Sequence, residues 1–152
     1  MKYAHSIKIT VFSYEHENSE TVLNAFLRFF PFDLEENKVF LKKNIAKGFN
    51  EHKIVIFEIA LTKHNLINQF LKNLFSNLDE SQRNQISNQT ESRLDENLDF
   101  FLRFDKDSWV NDKKLILTDS GKCFHIKMSI AAFPKKREVA LNVIKDLLSM
   151  KT

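Results

Sequence analysis

The sequence predicts an α+β domain in which a mostly antiparallel sheet packs its helices on one face. Three observations support this fold class. Several segments alternate apolar and polar side chains, as strands with one buried face do. Other segments repeat apolar residues at intervals of three and four, as amphipathic helices do. Consecutive strands are joined by short connections, which favours antiparallel pairing.

The chain begins with a predicted strand and a predicted helix. Residues 5–14 alternate apolar and polar side chains and indicate a strand. Asn18 and Ser19 are both good helix N-cap residues, and apolar residues then recur at helical spacing over 22–30. Pro31 cannot continue a helix, so it is expected to end this one.

Two strands and a second helix are predicted next. Residues 39–47 indicate a strand that is also rich in lysine, and 48–51 indicate a turn. The nearly continuous apolar run over 53–61 is typical of a central strand with both faces covered. Apolar residues at helical spacing over 66–75 then predict a helix.

A polar segment, 79–91, leads into the second half of the chain. It predicts a surface helix or a loosely held connection. Residues 98–104 then alternate as a strand with one buried face, and Arg103 belongs to its wet face. The piece 107–112 is too long for a tight hairpin and predicts a helical turn anchored by Trp109.

The last predicted elements are two strands and a helix. A short strand over 114–118 and a hairpin turn over 119–122 precede a strand over 124–130. Pro134 is expected at the first position of a helix whose apolar stripe runs over 139–148. The 152 residues, 1–152, are expected to form a single domain.

Composition narrows the classes of protein to consider. Lys and Arg total 23 against 20 Asp and Glu, a net charge of +3 that is compatible with an anionic partner but does not require one. Cys123 is the sole cysteine, which excludes an internal disulfide and is typical of a reducing compartment. No stretch reaches the roughly 18 apolar residues of a membrane span. We therefore expect a cytoplasmic protein that does not engage the membrane.

No catalytic or metal-binding motif stands out in the sequence. The five histidines share no ligand spacing, and the two glycines belong to no phosphate-binding loop or dinucleotide fingerprint. Cys123 and His125 would share one face of a strand, which leaves an activated cysteine as a minor alternative. We expect no cofactor, no metal and no enzymatic activity.

Positive charge concentrates in two segments. Residues 38–53 contain five lysines and one acid, and residues 122–137 contain five lysines and arginines and no acid. Lys135, Lys136 and Arg137 open the predicted last helix, where cations oppose the helix dipole unless an anion binds. The two segments could lie on one side of the sheet and form a single cradle for a polyanion. The alternative is a solvated, lysine-rich surface.

The second half of the chain also carries a resemblance. From Ser92 onward, with the polar helix before it, the predicted order is helix, three strands, helix. This order resembles a double-stranded-RNA-binding domain, and Pro134–Arg137 resembles the basic start of that family's last helix. The resemblance implies structured or double-stranded RNA as the partner.

Four short motifs cover the chain more widely: Ala4–Ile7, Lys47–Asn50, Arg93–Glu96 and Phe101–Lys106. They are similar to motifs of the archaeal family of predicted RNA-binding exosome subunits. This resemblance implies a fold similar to that of the ribosomal protein that binds 5S RNA, an antiparallel sheet with helices on one side. It also implies RNA and exosome subunits as partners, and no catalytic residue.

Two functions remain open from the sequence. In the first, the protein is a non-catalytic RNA-binding module whose basic side chains contact phosphates by charge and shape. The residues expected to bind RNA are Lys42, Lys43, Lys47, Lys53, Arg93, Arg103, Lys106, Lys135, Lys136 and Arg137. In the second, it is a protein-interaction subunit, with a homodimer as one form, and exposed Phe49 and Phe101 mark the contact.

Overall fold

The computed structural model describes residues 1–48, 50, 52–119 and 121–150. In this part of the chain five strands form one antiparallel sheet in the order β2-β3-β1-β5-β4. The strands are β1 (Ala4–Tyr14), β2 (Lys42–Lys47), β3 (Lys53–Leu61), β4 (Asp99–Asp105) and β5 (Cys123–Ile130). The described helices are α1 (Ser19–Leu27), α2 (His64–Ser76), α3 (Glu80–Asn88), α4 (Thr90–Arg93), α5 (Lys106–Asp112) and α6 (Arg137–Leu148). This architecture confirms the predicted α+β fold class.

The core lies between one face of the sheet and the helices. In the register of β1 with β3, Ile7 lies opposite Leu61 and Ile9 lies opposite Ile59, and all four side chains are buried. The apolar stripes of α1, α2 and α6 contribute to the same core. The two-residue alternation therefore predicted correctly which side of β1, β4 and β5 is buried.

Phenylalanine supplies many of the largest buried side chains. The Phe29 ring centroid lies 5.0 Å from that of Trp109 and 5.2 Å from that of Phe124, so the three rings pack the turn after α1 and helix α5 onto β5. The Trp109 indole Nε1–H donates a 2.8 Å hydrogen bond to the Ala25 carbonyl oxygen. The predicted helical turn anchored by Trp109 is thus confirmed as α5.

The helix ends follow ordinary capping chemistry. The Asn18 side chain accepts hydrogen bonds from two backbone N–H groups of α1, as predicted, and α1 ends before Pro31 is reached. The polar segment forms α3 and α4, because Asp79 and Gln82 make a capping box. Pro134 was placed wrongly. The helix begins at Arg137, so Lys135 and Lys136 precede it.

The prediction that β3 is covered on both faces is wrong. Phe57, Ile59 and Leu61 point into the core, but Ala60 between them is exposed. The apolar run of β3 appeared continuous because Ile54 and Ile56, which belong to the outer face, are apolar too. No described helix packs on that outer face, so the sheet is one-sided.

Two further strand predictions need correction. The segment 114–118 forms no continuous strand. It makes a single bridge, from Leu117 to Phe104, along the edge of β4 that does not pair with β5. β2 begins at Lys42 rather than at 39, and the Val39 N–H donates to the Leu34 carbonyl oxygen of the preceding turn instead of to β3. The predicted turns over 48–51 and 119–122 lie partly outside the described residues.

None of the described helices has the length and the apolar character that a membrane span requires.

Candidate nucleic-acid interface

The structure does not bring the two basic segments together as one cradle. β2, with its lysines, is one edge strand, and β4 is the other edge strand, with three strands between them. Strands lie about 4.8 Å apart, so these edges are separated by roughly 19 Å. The start of α6 lies beside β4, because Arg137 donates hydrogen bonds to the Glu91 carboxylate and the Leu94 carbonyl oxygen, each at 3.0 Å.

The predicted RNA-binding residues on β2 and β3 point to different sides of the sheet. Lys42 pairs with Glu58 and shares the outer face, whereas Lys43 pairs with Phe57 and points to the helix side. Lys47 and Lys53 are directly opposite each other, also on the helix side. Such a like-charge pair disfavours the two strands' pairing slightly and is tolerated because both side chains are exposed.

Lys106 and Arg93 are cations whose charges are already satisfied inside the protein. Lys106 is only 1% exposed, and its Nζ lies 2.7 Å from both the Phe12 carbonyl oxygen and a Glu17 carboxylate oxygen. The Arg93 guanidinium donates to the Gln89 side-chain oxygen at 2.6 and 2.9 Å, and burial lowers its pKa. Neither side chain is free to meet a phosphate in this arrangement.

The outer side of the sheet gathers polar, basic and aromatic side chains from all five strands. A groove of about 540 Å³ crosses it, lined mainly by β1 and β5. We call this surface the open face. Its strand residues include Lys8, Thr10, Phe12, Tyr14, Lys42, Asn44, Ile56, Glu58, Asp99, Phe101, Arg103, Asp105, Cys123, His125 and Lys127.

The described side chains of the open face carry more positive than negative charge. Lys122 joins the strand cations at the rim of the groove. The Lys8 Nζ lies 3.5 Å from a Glu58 carboxylate oxygen, and the Lys127 Nζ lies 3.5 Å from an Asp99 carboxylate oxygen. Each lysine is about half exposed, and ion pairs at a protein surface contribute only about 0–1 kcal/mol, so a phosphate can compete for either lysine. In the described part of the chain, neither Lys42 nor Arg103 forms an ion pair with a carboxylate.

His125 lies near the middle of the open face. Burial is the main cause that lowers the pKa of His125, and the nearby cations Arg103, Lys127 and Lys8 lower it further. These cations come from three different strands, so positive charge converges on this ring although the residues are distant in sequence. The imidazole is therefore neutral at pH 7.

The alternative of an activated cysteine gains no support from the geometry. Cys123 and His125 do share the open face, as their spacing implied. Burial, however, raises the pKa of the Cys123 thiol, which opposes formation of the nucleophilic thiolate. Among the described residues, no cluster of His, Cys, Asp or Glu side chains could hold a metal ion.

Sequence reasoning missed several side chains of this surface. The expected RNA-binding residues do not include Lys8 or Phe12. They also leave out Lys122 and Lys127, although both belong to the basic segment 122–137. The available signal was alternation. Lys8 occupies the polar side of the first strand, and Lys127 the polar side of the last.

Comparisons with known proteins agree with this fold. A family model described as RNA binding matches residues 6–130. The RNA-binding protein PAB1135 of Pyrococcus abyssi is 26% identical over 146 residues, which cover 95% of this chain and 94% of that protein.

Solved structures show the same architecture. AF2318 from Archaeoglobus fulgidus, a DUF54 protein, has a TM-score of 0.82 and 27% identity, with 95% of this chain and 99% of that chain covered. Mth689, a DUF54 protein from Methanothermobacter thermautotrophicus, has a TM-score of 0.77 and 24% identity, with 96% and 98% covered, and shares the fold. Because the family model spans most of its length, this chain belongs to the RNA-binding family.

Proposed function

We propose that this protein binds RNA without catalysis, through the open face of its sheet. The observation that carries the proposal is a groove that no described helix covers and that Lys8, Lys122 and Lys127 line. Lys42 and Arg103 lie on the same face of the sheet, toward its two edges. Lys8, Lys42, Arg103 and Lys127 supply the phosphate contacts. The name of the Pyrococcus relative, an RNA-binding protein, supports the same conclusion.

The remaining predicted contacts divide by position. Lys43, Lys47 and Lys53 extend the positive surface around the β2 edge, next to Lys42. Lys135 and Lys136 are exposed beside the opposite edge and add a weaker, separate attraction. The fold itself uses the charges of Arg93, Lys106 and Arg137, because protein oxygens already accept hydrogen bonds from these side chains. These three residues therefore stabilise the structure and do not contact RNA directly.

Charge-removing variants test the proposal. Lys42→Gln/Arg103→Gln removes two cations without breaking an ion pair among the described residues. Lys72→Gln/Lys145→Gln is the matched control, with the same loss of charge from α2 and α6 on the other side of the sheet. Fluorescence anisotropy with a labelled RNA at about 50 and about 200 mM salt measures both affinity and its salt slope.

The two double variants should behave differently. The open-face variant should bind RNA about tenfold more weakly than the unchanged protein, with a salt slope reduced by about two. The control should keep most of its affinity. Equal losses in both variants, or an affinity that does not respond to salt, would contradict the proposed surface.

An accessory role at the archaeal exosome, which the resemblance implies, remains a proposal about the partner. Co-purification of exosome subunits with a tagged chain, before and after nuclease treatment, tests it. A contact that survives nuclease supports direct association, whereas one lost with nuclease is bridged by RNA.

The structure places the two phenylalanines of the protein-interaction hypothesis differently from what the sequence predicts. Phe101 is half-buried against the His125 ring, and Phe49 lies outside the described residues. A more exposed apolar side chain is that of Phe40, which is 87% exposed and lies just before the edge strand β2. A homodimer remains a prediction, which the mass measured by light scattering checks.

A further inference from the structure

Three aromatic rings lie on one diagonal of the open face. Thr10 and Arg103 both pair with His125, from the two neighbouring strands. Phe12 is two residues beyond Thr10, and Phe101 is two residues before Arg103, so both lie diagonal to His125 on the same face. The diagonal runs in one direction from β1 through β5 to β4. We call Phe12, His125 and Phe101 the ring track.

The rings are placed to meet flat ligands. The Phe101 and His125 ring centroids are 5.5 Å apart with 38° between the planes. Phe12 is 43% exposed at the centre of the sheet and lines the groove together with His125. A large ring left this open has apolar surface available for contact, and a nucleobase can cover it by stacking.

Tyr14 is excluded from the track by its own contacts. The Lys106 Nζ lies 4.8 Å from the centroid of the Tyr14 ring, and the Lys122 Nζ lies 5.5 Å from it. Cations therefore already occupy positions over this ring. Phe12, two residues earlier on the same strand, has no such cation in the described structure.

Cations flank the track where a backbone would run. Lys8 and Lys127 pair directly with each other across β1 and β5, and Arg103 is directly opposite His125. Burial and then these three cations lower the pKa of His125. Because that ring is neutral at pH 7, it serves stacking, while the lysines and the arginine serve phosphates.

The arrangement favours unpaired bases. In an A-form duplex the base faces are hidden within the stack, and only phosphates, sugars and base edges are accessible. A duplex on the open face would therefore leave the ring track without a partner. A single strand presents both its backbone and its base faces, and it can use the cations and the rings together.

We infer that the RNA held by the open face is single-stranded, with two or three successive bases stacked along Phe12, His125 and Phe101. The inference rests on the proposed function and narrows it, since it replaces the structured or double-stranded partner expected from the resemblance. Stacking accepts every base, so the binding should show little sequence preference.

The test compares two labelled RNAs of the same length, about 12 nucleotides: an unstructured single strand and a blunt duplex. The protein should bind the single strand at least about tenfold more tightly at equal salt. Phe12→Ala should weaken single-strand binding about fivefold or more and leave duplex binding unchanged. Phe12→Tyr should retain the binding, because it keeps a stacking ring.

Phe40→Ala is the matched control, since it removes an even more exposed ring away from the track. It should change neither affinity. Phe12→Trp adds a direct readout, because the indole fluorescence should be quenched when a base stacks on it. Melting curves of each variant establish that the fold is intact.

The outcomes separate the inference from the proposed function. Duplex binding that equals or exceeds single-strand binding overturns the inference, and the proposed function survives if Lys42→Gln/Arg103→Gln still weakens binding. A preference for the single strand that Phe12→Ala leaves unchanged also overturns it, because the rings then do not act. Failure to bind either RNA removes both.

Discussion

At the scale of single residues, Lys106 shows how a basic side chain can be part of the fold. Its ammonium is buried between the Phe12 carbonyl oxygen, the Glu17 carboxylate and the Tyr14 ring. A buried charge is tolerated only when such partners surround it. The residue joins the start of α5 to the end of β1.

Lys106→Met should destabilise the protein by about 3–5 kcal/mol, because it leaves the partly buried Glu17 carboxylate without its cation and removes a hydrogen bond to the Phe12 carbonyl oxygen. The midpoint of urea denaturation measures the change. Lys145→Met on the exposed side of α6 is the control and should cost little. Similar midpoints for the two variants would mean that the buried pair contributes no net stability.

The same ion pair predicts a loss of stability in acid. Burial alone would raise the pKa of Glu17, but the Lys106 ammonium, the Tyr14 backbone N–H and the Lys122 charge together lower it from its ordinary value of 4.5. A carboxylate with a lowered pKa in the folded state stabilises fully above 4.5, and this contribution is lost as the pH falls through the folded pKa.

Melting temperatures from neutral pH down to about pH 3 measure this dependence. Glu17→Gln should lower the melting temperature at neutral pH and flatten its decline in acid. Glu96→Gln, at an exposed position without a described ion pair, should keep the unchanged protein's slope. If the Glu17→Gln slope also matched it, the ion pair would not govern acid sensitivity.

At the scale of elements, strand alternation was informative where one face is buried and the other is wet. Residues 98–104 and 124–130 have this pattern, and both formed the predicted strands. The pattern misled at β3, because its outer face carries Ile54 and Ile56 rather than polar residues. That exception falls on the surface we assign to RNA, where an apolar outer side chain can serve a ligand.

The edges of the sheet were harder to predict. Whether 114–118 forms a ladder or a single bridge depends on its distance from β4, which no local pattern encodes. In the structure the Asp105 N–H donates to the Ile116 carbonyl oxygen and the Thr118 N–H to the Arg103 carbonyl oxygen, so this segment covers the β4 edge. No described segment covers the β2 edge in this way, and the lysines of β2 discourage pairing with other chains.

The capping box of α3 gives a prediction at this scale. Asp79→Ala removes the acceptor for the Gln82 backbone N–H and should destabilise the protein by about 1 kcal/mol. Asp79→Ser restores a capping oxygen and should recover most of the loss. Thermal or urea unfolding measures both, and equal losses for the two variants would contradict a capping role.

At the scale of the whole molecule, the distribution of charge could not be obtained by counting along the chain. Neighbouring residues of a strand point to opposite faces, so Lys42 and Lys43 belong to different surfaces. Lys8 and Lys127 are far apart in sequence and directly paired in the sheet. Membership of an RNA-binding family and the fold class could be predicted from the sequence, but the cationic surface required the register of the strands.

Two double variants with equal loss of charge distinguish a surface from a segment. Lys42→Gln/Arg103→Gln removes cations from the open face, and Lys43→Gln/Lys47→Gln removes them from the helix side of β2. The first should weaken RNA binding clearly more than the second. Fluorescence anisotropy at one salt concentration measures both affinities. A larger loss of affinity in Lys43→Gln/Lys47→Gln would indicate that RNA binds at the β2 edge instead.

The hydrogen bond from Lys106 to the Phe12 backbone has a consequence for mutational scans of this protein. It adds a hydrogen bond to the strand segment that carries the exposed ring, so its loss should loosen the backbone there and increase the conformational entropy lost on association. Lys106→Met would thus weaken binding and look like the loss of a phosphate contact. Its unaltered dependence on ionic strength would reveal that a scaffold had been removed and not a ligand contact.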